Sequence, residues 1–372
     1  MTTGVPRSSE IRIDPVDRRE LEELSGLYEL PLLELGALAR DRAREAVPDG
    51  IVSYIVDRNI NYTNVCVTDC SFCAFYRRPG HEEGYVLSNE QIGAKIDEAK
   101  AIGAVQILMQ GGHNPYLKLD YYTDLLEYIK AHHPIHVHGF SASELDIIAR
   151  VTRADVETVI GELKAAGLDS VPGAGAEILV DDVRDRIAKK KIGTARWLEI
   201  HRAVHDQGLL SSATMMFGAG ESRADRVEHM LRVRDLQRRT GGFTAFIPWT
   251  LQSDGTEMDG TPEATATEYL KTIAISRVVI DNVRNLQVSY VTQGPKVAQV
   301  ALHFGCNDFG SLMMEENVVS ATGTDFIMPR STLVQFIEGA GFRAAPRYQD
   351  YSAVQPDLDW YCGCGVCLDR RV

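Results

Sequence analysis

The stretch SNEQIGAKIDEAKAIGAVQILMQGG, residues 88–112, contains one repeat of the whole fold. Ser88 followed by Gln91 has the spacing of a capping box, so a helix begins there. Its apolar face runs through Ile92, Ile96 and Ala99, and Gly103 stops it. Val105 to Gln110 is a short apolar run, as expected of a strand covered on both faces. Gly111 and Gly112 then turn the chain. Helix, buried strand and glycine turn together make the βαβ module of a parallel sheet.

The module recurs along the chain. Further strand-like runs are Val52 to Val56, Ile135 to Phe140, Ser170 to Pro172, Ser211 to Phe217, Phe243 to Trp249 and Leu286 to Tyr290. Helical patterns cover about 119–132, 154–166, 194–207, 222–239 and 263–282. This alternation predicts an α/β fold, a TIM-type (β/α) barrel, full or partial; a doubly wound open sheet would give the same pattern. Polar or glycine-rich segments follow four strands: Gly111 to Pro115, Ser141 to Glu144, Gly173 to Glu177 and Gly218 to Glu221. In a barrel these would meet at one mouth, where active sites are built.

Upstream, Leu21, Leu24, Leu27 and Leu30, then Leu32 to Val47, predict helices that cap the main body until Pro48 and Gly50 break them. The expected division is a helical cap over 1–50, a barrel core over 51–290, a C-terminal completion of the barrel over 291–355 and a cysteine-containing tail over 356–372.

Composition narrows the function. Among 372 residues, 52 Asp and Glu outnumber 39 Lys and Arg, for a net charge of −13. No cationic excess exists to displace counterions, which argues against nonspecific nucleic-acid binding. No apolar run approaches the ~18 residues that span a bilayer. Met1 to Pro15 has no apolar core of a secretory signal, so a soluble cytoplasmic protein is expected.

Of the seven cysteines, six fall in two clusters. An odd count argues against a disulfide framework and points to metal or redox chemistry. Cys66-x3-Cys70-x2-Cys73 lies just after the first barrel strand. Three thiolates this close can hold three irons of a cubane and leave the fourth open. A zinc site and three unrelated core thiols are the alternatives, although Thr68, Asp69 and Ser71 offer zinc no obvious fourth ligand. Cys362, Cys364 and Cys367 form the second cluster, either an auxiliary metal site completed by Cys306 or a histidine, or a tail whose thiols have no role.

Cys66 to Cys73, with Phe72 at the aromatic position, is similar to the CxxxCxΦC signature of radical S-adenosylmethionine enzymes. The resemblance implies a [4Fe-4S] cluster on Cys66, Cys70 and Cys73, S-adenosylmethionine on the open iron, and a (β/α) barrel. Gly111-Gly112 resembles the element that meets the methionine amine. Where the superfamily usually has an acid, this chain has His113, so backbone carbonyls or Gln110 would take that role. NINYTNVC (59–66), CAFYR (73–77), QGGHNP (110–115), PGAGAEIL (172–179) and ATMMFG (213–218) resemble the branch of futalosine-pathway enzymes and deazaflavin synthases. GGFTAFIPWT (241–250), GCNDFG (305–310) and EENVV (315–319) resemble the cyclic dehypoxanthinyl futalosine synthases within it. The likeness covers about residues 10–350. Cys306, where a small residue is expected, and the tail beyond Pro356 depart from it.

That family implies an intramolecular cyclisation in menaquinone biosynthesis. A 5′-deoxyadenosyl radical takes the ribose C4′ hydrogen of dehypoxanthine futalosine, the ribosyl radical adds to the benzoate ring, and loss of an electron and a proton restores aromaticity. Such a radical must be kept from water. Glu177 is the expected partner of the adenosyl ribose, and Ser141 and Ser143 are further cofactor contacts. Arg77, Arg78 and Arg284 are candidates for the substrate carboxylate, His113 and Glu221 for the final base, and Trp249 for a cavity wall. A flavodoxin or ferredoxin would donate the electron. Aminofutalosine synthase or a deazaflavin synthase component is the alternative within the branch, and a noncatalytic zinc or redox-binding protein the alternative outside it.

Overall fold

The computed structural model describes residues 15–354, apart from 313, 316, 318–320, 322 and 324–327. Ten strands and twelve α-helices are named below. The chain enters through α1 (Arg18–Ser25) and α2 (Leu32–Ala46), joined by a 3-10 turn. Then come β1 (Ile51–Ile55) and β2 (Asp57–Ile60), separated by the single residue Val56. The first full module is α3 (Asn89–Ala101) and β3 (Gln106–Met109), with the capping box of Ser88 and Gln91 formed on both sides.

Helix and strand continue to alternate through α4 (Leu119–His132), β4 (His136–Gly139), α5 (Ala142–Thr152), α6 (Val156–Ala166) and β5 (Ser170–Val171). Next come α7 (Asp181–Ile187), α8 (Thr194–Asp206), β6 (Leu210–Phe217), α9 (Arg223–Thr240) and β7 (Phe243–Thr250). The chain then forms α10 (Ala266–Val279), β8 (Asn285–Leu286), α11 (Tyr290–Ala301), β9 (Asp308–Ser311), α12 (Arg330–Gly339) and β10 (Arg343–Pro346).

All strand pairs are parallel. β2 to β8 form a seven-stranded sheet in sequence order, and β10-β1-β9 forms a second sheet. A bridge between Gln287 and Asp308 ties β8 to β9, β9 pairs with β1, and β1 runs directly into β2. The ring therefore closes, and the TIM-type barrel of the sequence reading is present in full rather than in part. Pro248 sits inside β7, opposite Met215 of β6. It is tolerated because β8 pairs only with Ala245 and Phe246, so the N–H that proline lacks has no ladder to complete.

Two expected boundaries move. The run from Leu286 to Tyr290 is strand only at Asn285–Leu286, and Tyr290 opens α11. Ser141 to Glu144 is not a loop but the start of α5: Ser141 is its N-cap in a capping box with Glu144. At the opposite end of the barrel, the segment after β10 crosses beneath the strands. Arg347 N–H bonds to Tyr54 O, and Gln349 reaches His138 on β4. No helix among the described residues is long and apolar enough to cross a membrane.

Candidate active site

The thiols sit on a loop, residues 61–88, that is folded against itself. Thr63 Oγ1 donates to Tyr85 O at 2.6 Å, Asn64 Nδ2 donates to Glu83 O at 3.0 Å, and Leu87 N–H donates to Tyr62 O at 2.8 Å. Cys66 N–H bonds to Arg77 O, and Arg77 N–H to Asn64 O. A loop pinned this densely presents its side chains in one geometry. Cys66 and Cys70 are buried and Cys73 is half-buried. Burial pushes the Cys70 thiol up to about 11 and raises Cys73 as well. Among the described residues no three His, Cys, Asp or Glu side chains converge on a single ion. A mononuclear zinc site needs such convergence, whereas a cubane places each thiolate on its own iron.

The glycine pair beside this loop exists for close approach. A Cβ on Gly112 would lie 2.3 Å from Val65 O and 3.0 Å from Cys66 Cβ, and one on Gly111 would lie 2.5 Å from the Tyr62 ring. Glu144 locks the pair in place. Its Oε1 accepts from Gly111 N–H and from Tyr62 OH, each at 2.8 Å, while its Oε2 accepts from Ser141. Ser141 is thus spent on capping. Ser143 is the free serine: its buried Oγ has no partner.

Two cavities of about 320 Å³ each meet this loop. One runs down the barrel axis from Phe72, Gln110 and Glu177 at the mouth, past Trp249, to Gln106 and Arg347 at the floor. The other lies beside the thiols and is lined by Thr68, His113, Ser143 and Arg150. Lys191 lines both. It pairs with Glu177 at 2.8 Å and stands 5.3 Å from the centre of the Phe72 ring. The other Glu177 oxygen, Oε2, is buried without a hydrogen bond, 3.5 Å from Arg184. Glu177 itself is held in the left-handed region at φ 40°, a strained conformation for a side-chain-bearing residue. Arg184 clamps this turn by donating to the carbonyls of Gly175, Ala176 and Ile192. Glu177 Oε2 and Ser143 Oγ, both without a hydrogen bond, and a glycine cradle between thiols and barrel fit a polar ligand seated over the loop.

Several expected residues do other work. Glu221 is fully enclosed outside the barrel cavity, accepting from Gly218 N–H, Ala219 N–H and Arg226 Nε at 2.8, 2.8 and 2.6 Å. It shapes a turn. His113 lies in the side cavity, off the barrel axis, and burial beside Lys191 and Arg150 lowers it to about 3. Arg77 is used on its own loop, donating to Ala74 O, Phe75 O and Tyr76 O and pairing with Glu83. Arg78 is exposed against Asp69, and Arg284 is exposed; neither lines either of these two cavities. The barrel cation that the sequence did not suggest is Arg347, paired with Asp308 at 2.5 Å. Met215 and Met216 are core. Cys306 is buried and raised by burial, and Asp308 beside it adds to the shift. Cys362, Cys364 and Cys367 lie outside the described residues.

The Glu144 clamp could have been read from its Ser141-x-x-Glu144 capping spacing. Lys191 could not: it ends the run Lys189 to Lys191, which reads as a solvated face.

Comparison with known proteins now decides the family. Residues 60–233 match the radical SAM superfamily model, and residues 240–358 match the CofH/MqnC C-terminal region. The chain is 47% identical to a cyclic dehypoxanthine futalosine synthase of Halalkalibacterium halodurans, over 91% of this chain and 92% of that one. The chain belongs to the radical SAM superfamily. A second cyclic dehypoxanthine futalosine synthase, from Streptomyces coelicolor, is 44% identical over 89% of this chain and 84% of its own. A 5-amino-6-(D-ribitylamino)uracil–L-tyrosine 4-hydroxyphenyl transferase of Methanopyrus kandleri is 37% identical over 85% and 88%. Among solved structures, methylornithine synthase superposes with a TM-score of 0.68, covering 87% of this chain and 94% of its own at 17% identity, which speaks to the fold alone. As a radical SAM enzyme, the protein uses a [4Fe-4S] cluster and S-adenosylmethionine on a small-molecule substrate.

Proposed function

We propose that this radical SAM enzyme cyclises dehypoxanthine futalosine to cyclic dehypoxanthinyl futalosine. The observation that carries the reading is the identity gradient: 47% and 44% to proteins of that name, against 37–40% to the transferases. The barrel cavity supports it, since a single substrate that closes on itself is held in one chamber walled by the strands.

In this reading Cys66, Cys70 and Cys73 hold the three irons, and Gly111 and Gly112 leave room for the methionine end of the cofactor. Glu177 takes the ribose hydroxyls on Oε2, which makes no hydrogen bond within the protein, with Lys191 on Oε1 fixing the orientation of the carboxylate. Phe72 and Gln110 line the mouth of the axial cavity. When bound, cluster and cofactor supply a 5′-deoxyadenosyl radical. The chain's part is to keep water out and hold the ribose C4′–H toward the mouth, with the aromatic ring deeper along Leu108, Ile247 and Trp249. The fixed floor pair Arg347–Asp308 limits how far the substrate can descend. A one-electron donor such as flavodoxin or ferredoxin supplies the electron.

The test is anaerobic incubation with S-adenosylmethionine, a reductant and either substrate set. Cyclised product in step with 5′-deoxyadenosine from dehypoxanthine futalosine, and no coupling of tyrosine to 5-amino-6-(D-ribitylamino)uracil, is expected. The reverse pattern assigns the protein to the transferases.

A further inference from the structure

The proposed cyclisation ends with a ring proton leaving the barrel cavity. The barrel wall contains a chain of bonds that could carry it. His138, 5% exposed, lines the axial cavity. Its Nδ1 lies 2.7 Å from Ser170 Oγ, and Ser170 Oγ lies 2.7 Å from His136 Nε2. Ser170 and His136 open β5 and β4, at the end of the barrel opposite the thiol loop. His136 is only partly buried. The three groups thus step from the cavity to the outer floor.

The polarity of the chain is set at its inner end. Gln349 Nε2 approaches His138 Nε2 at 3.3 Å. An amide N–H needs an acceptor, so His138 carries its proton on Nδ1 and offers the Nε2 lone pair. Nδ1–H then donates to Ser170 Oγ, whose own proton is free for His136 Nε2. The Gln349 contact is long and therefore weak. The charged and titratable neighbours are Arg347 and His201 around His138, and Asp169, Lys130 and Asp350 around His136. Burial keeps His138 neutral, so its lone pair stays available and a proton that reaches it is passed on rather than held.

We propose that His138, Ser170 and His136 form a proton exit through the barrel floor, taking the ring proton that cyclisation releases. This rests on the cyclase reading above. The C–H bond of the attacked ring carbon breaks, its electron pair stays in the ring, and the proton goes to His138 Nε2. His138 Nδ1–H passes to Ser170, and the Ser170 proton to His136, which releases it to solvent. The remaining unpaired electron leaves to a one-electron acceptor of the oxidised iron–sulfur class.

The test compares dehypoxanthine futalosine with and without deuterium on the attacked ring carbon, reading cyclised product per 5′-deoxyadenosine. In the unaltered enzyme proton loss is fast and the ratio ignores the label. In Ser170→Ala the exit is cut: the ratio should fall at least fivefold and fall further with the deuterated ring. His136→Gln, at the partly exposed end and away from the cavity, should become label-sensitive too, which separates a broken relay from a distorted pocket. Ratios equal to wild type and indifferent to the label in either variant overturn the relay. A wild-type enzyme that yields no cyclised product from either isotopologue overturns the cyclase reading instead.

Discussion

The two ends of the barrel are built from the same parallel strands but in opposite ways. The mouth gathers thiols and a strained Glu177, and it leaves Glu177 Oε2 and Ser143 Oγ without hydrogen bonds on residues that line the two cavities. The floor satisfies its charges internally. Arg347 donates to both oxygens of Asp308, at 2.5 and 3.0 Å, while Ser53 and Gly310 donate to that carboxylate too. Asp57, raised by burial, is held by Gln106 and Ser311. Unsatisfied groups await a ligand, whereas satisfied ones support the structure. The difference explains why Glu221, with three partners, belongs with the floor groups in character although it sits on a mouth-side loop.

The largest effect that would break this division is at the thiols. Cys70→Ala should lose the cluster and all cleavage of S-adenosylmethionine, read as iron and sulfide per chain and as 5′-deoxyadenosine formed. Because burial raises Cys70 to about 11, its thiol is protonated at neutral pH and must lose that proton to bind iron. Cluster assembly on the apoprotein should therefore quicken as pH rises from about 7 to 9.

At the floor, Arg347→Ala strands Asp308 as a buried unpaired charge. A loss of about 3–5 kcal/mol in denaturant unfolding is expected, with iron content of the surviving folded protein unchanged. Equal stability would show that water already reaches the pair.

Back at the mouth, Glu177→Gln should weaken S-adenosylmethionine by about 1–3 kcal/mol in equilibrium binding without lowering iron per chain. Unchanged affinity would move Glu177 to the floor's category, a partner for Lys191 and no more.

The smallest effect on chemistry is expected at Glu221. Glu221→Gln should cost about 1–3 kcal/mol of stability through its lost charged bonds, while product per 5′-deoxyadenosine stays as in wild type. Loss of cyclised product with normal 5′-deoxyadenosine would restore Glu221 as the base.

The same contrast explains what was legible in the sequence. The mouth is encoded in short motifs: the cysteine spacing, the glycine pair and the Ser141-x-x-Glu144 cap lie within a few residues of their partners. The modules from α3 onward were visible because a buried parallel strand and an amphipathic helix have different periods. The floor is written over long separations. Arg347 meets Asp308 across 39 residues, and Gln349 meets His138 across 211. No local pattern announces such pairs. Short elements also escaped: β8 is two residues long, too brief to carry a period. His113 and Glu221 were read by position on a strand-end loop, which says nothing of burial or partners, and those decide basicity.

The most direct test of the central claim is one anaerobic turnover of dehypoxanthine futalosine deuterated at the ribose C4′. The expected result is deuterium in 5′-deoxyadenosine, together with a cyclised product lacking that deuterium and one ring hydrogen. Unlabelled 5′-deoxyadenosine, or recovered substrate with its label intact, would contradict it.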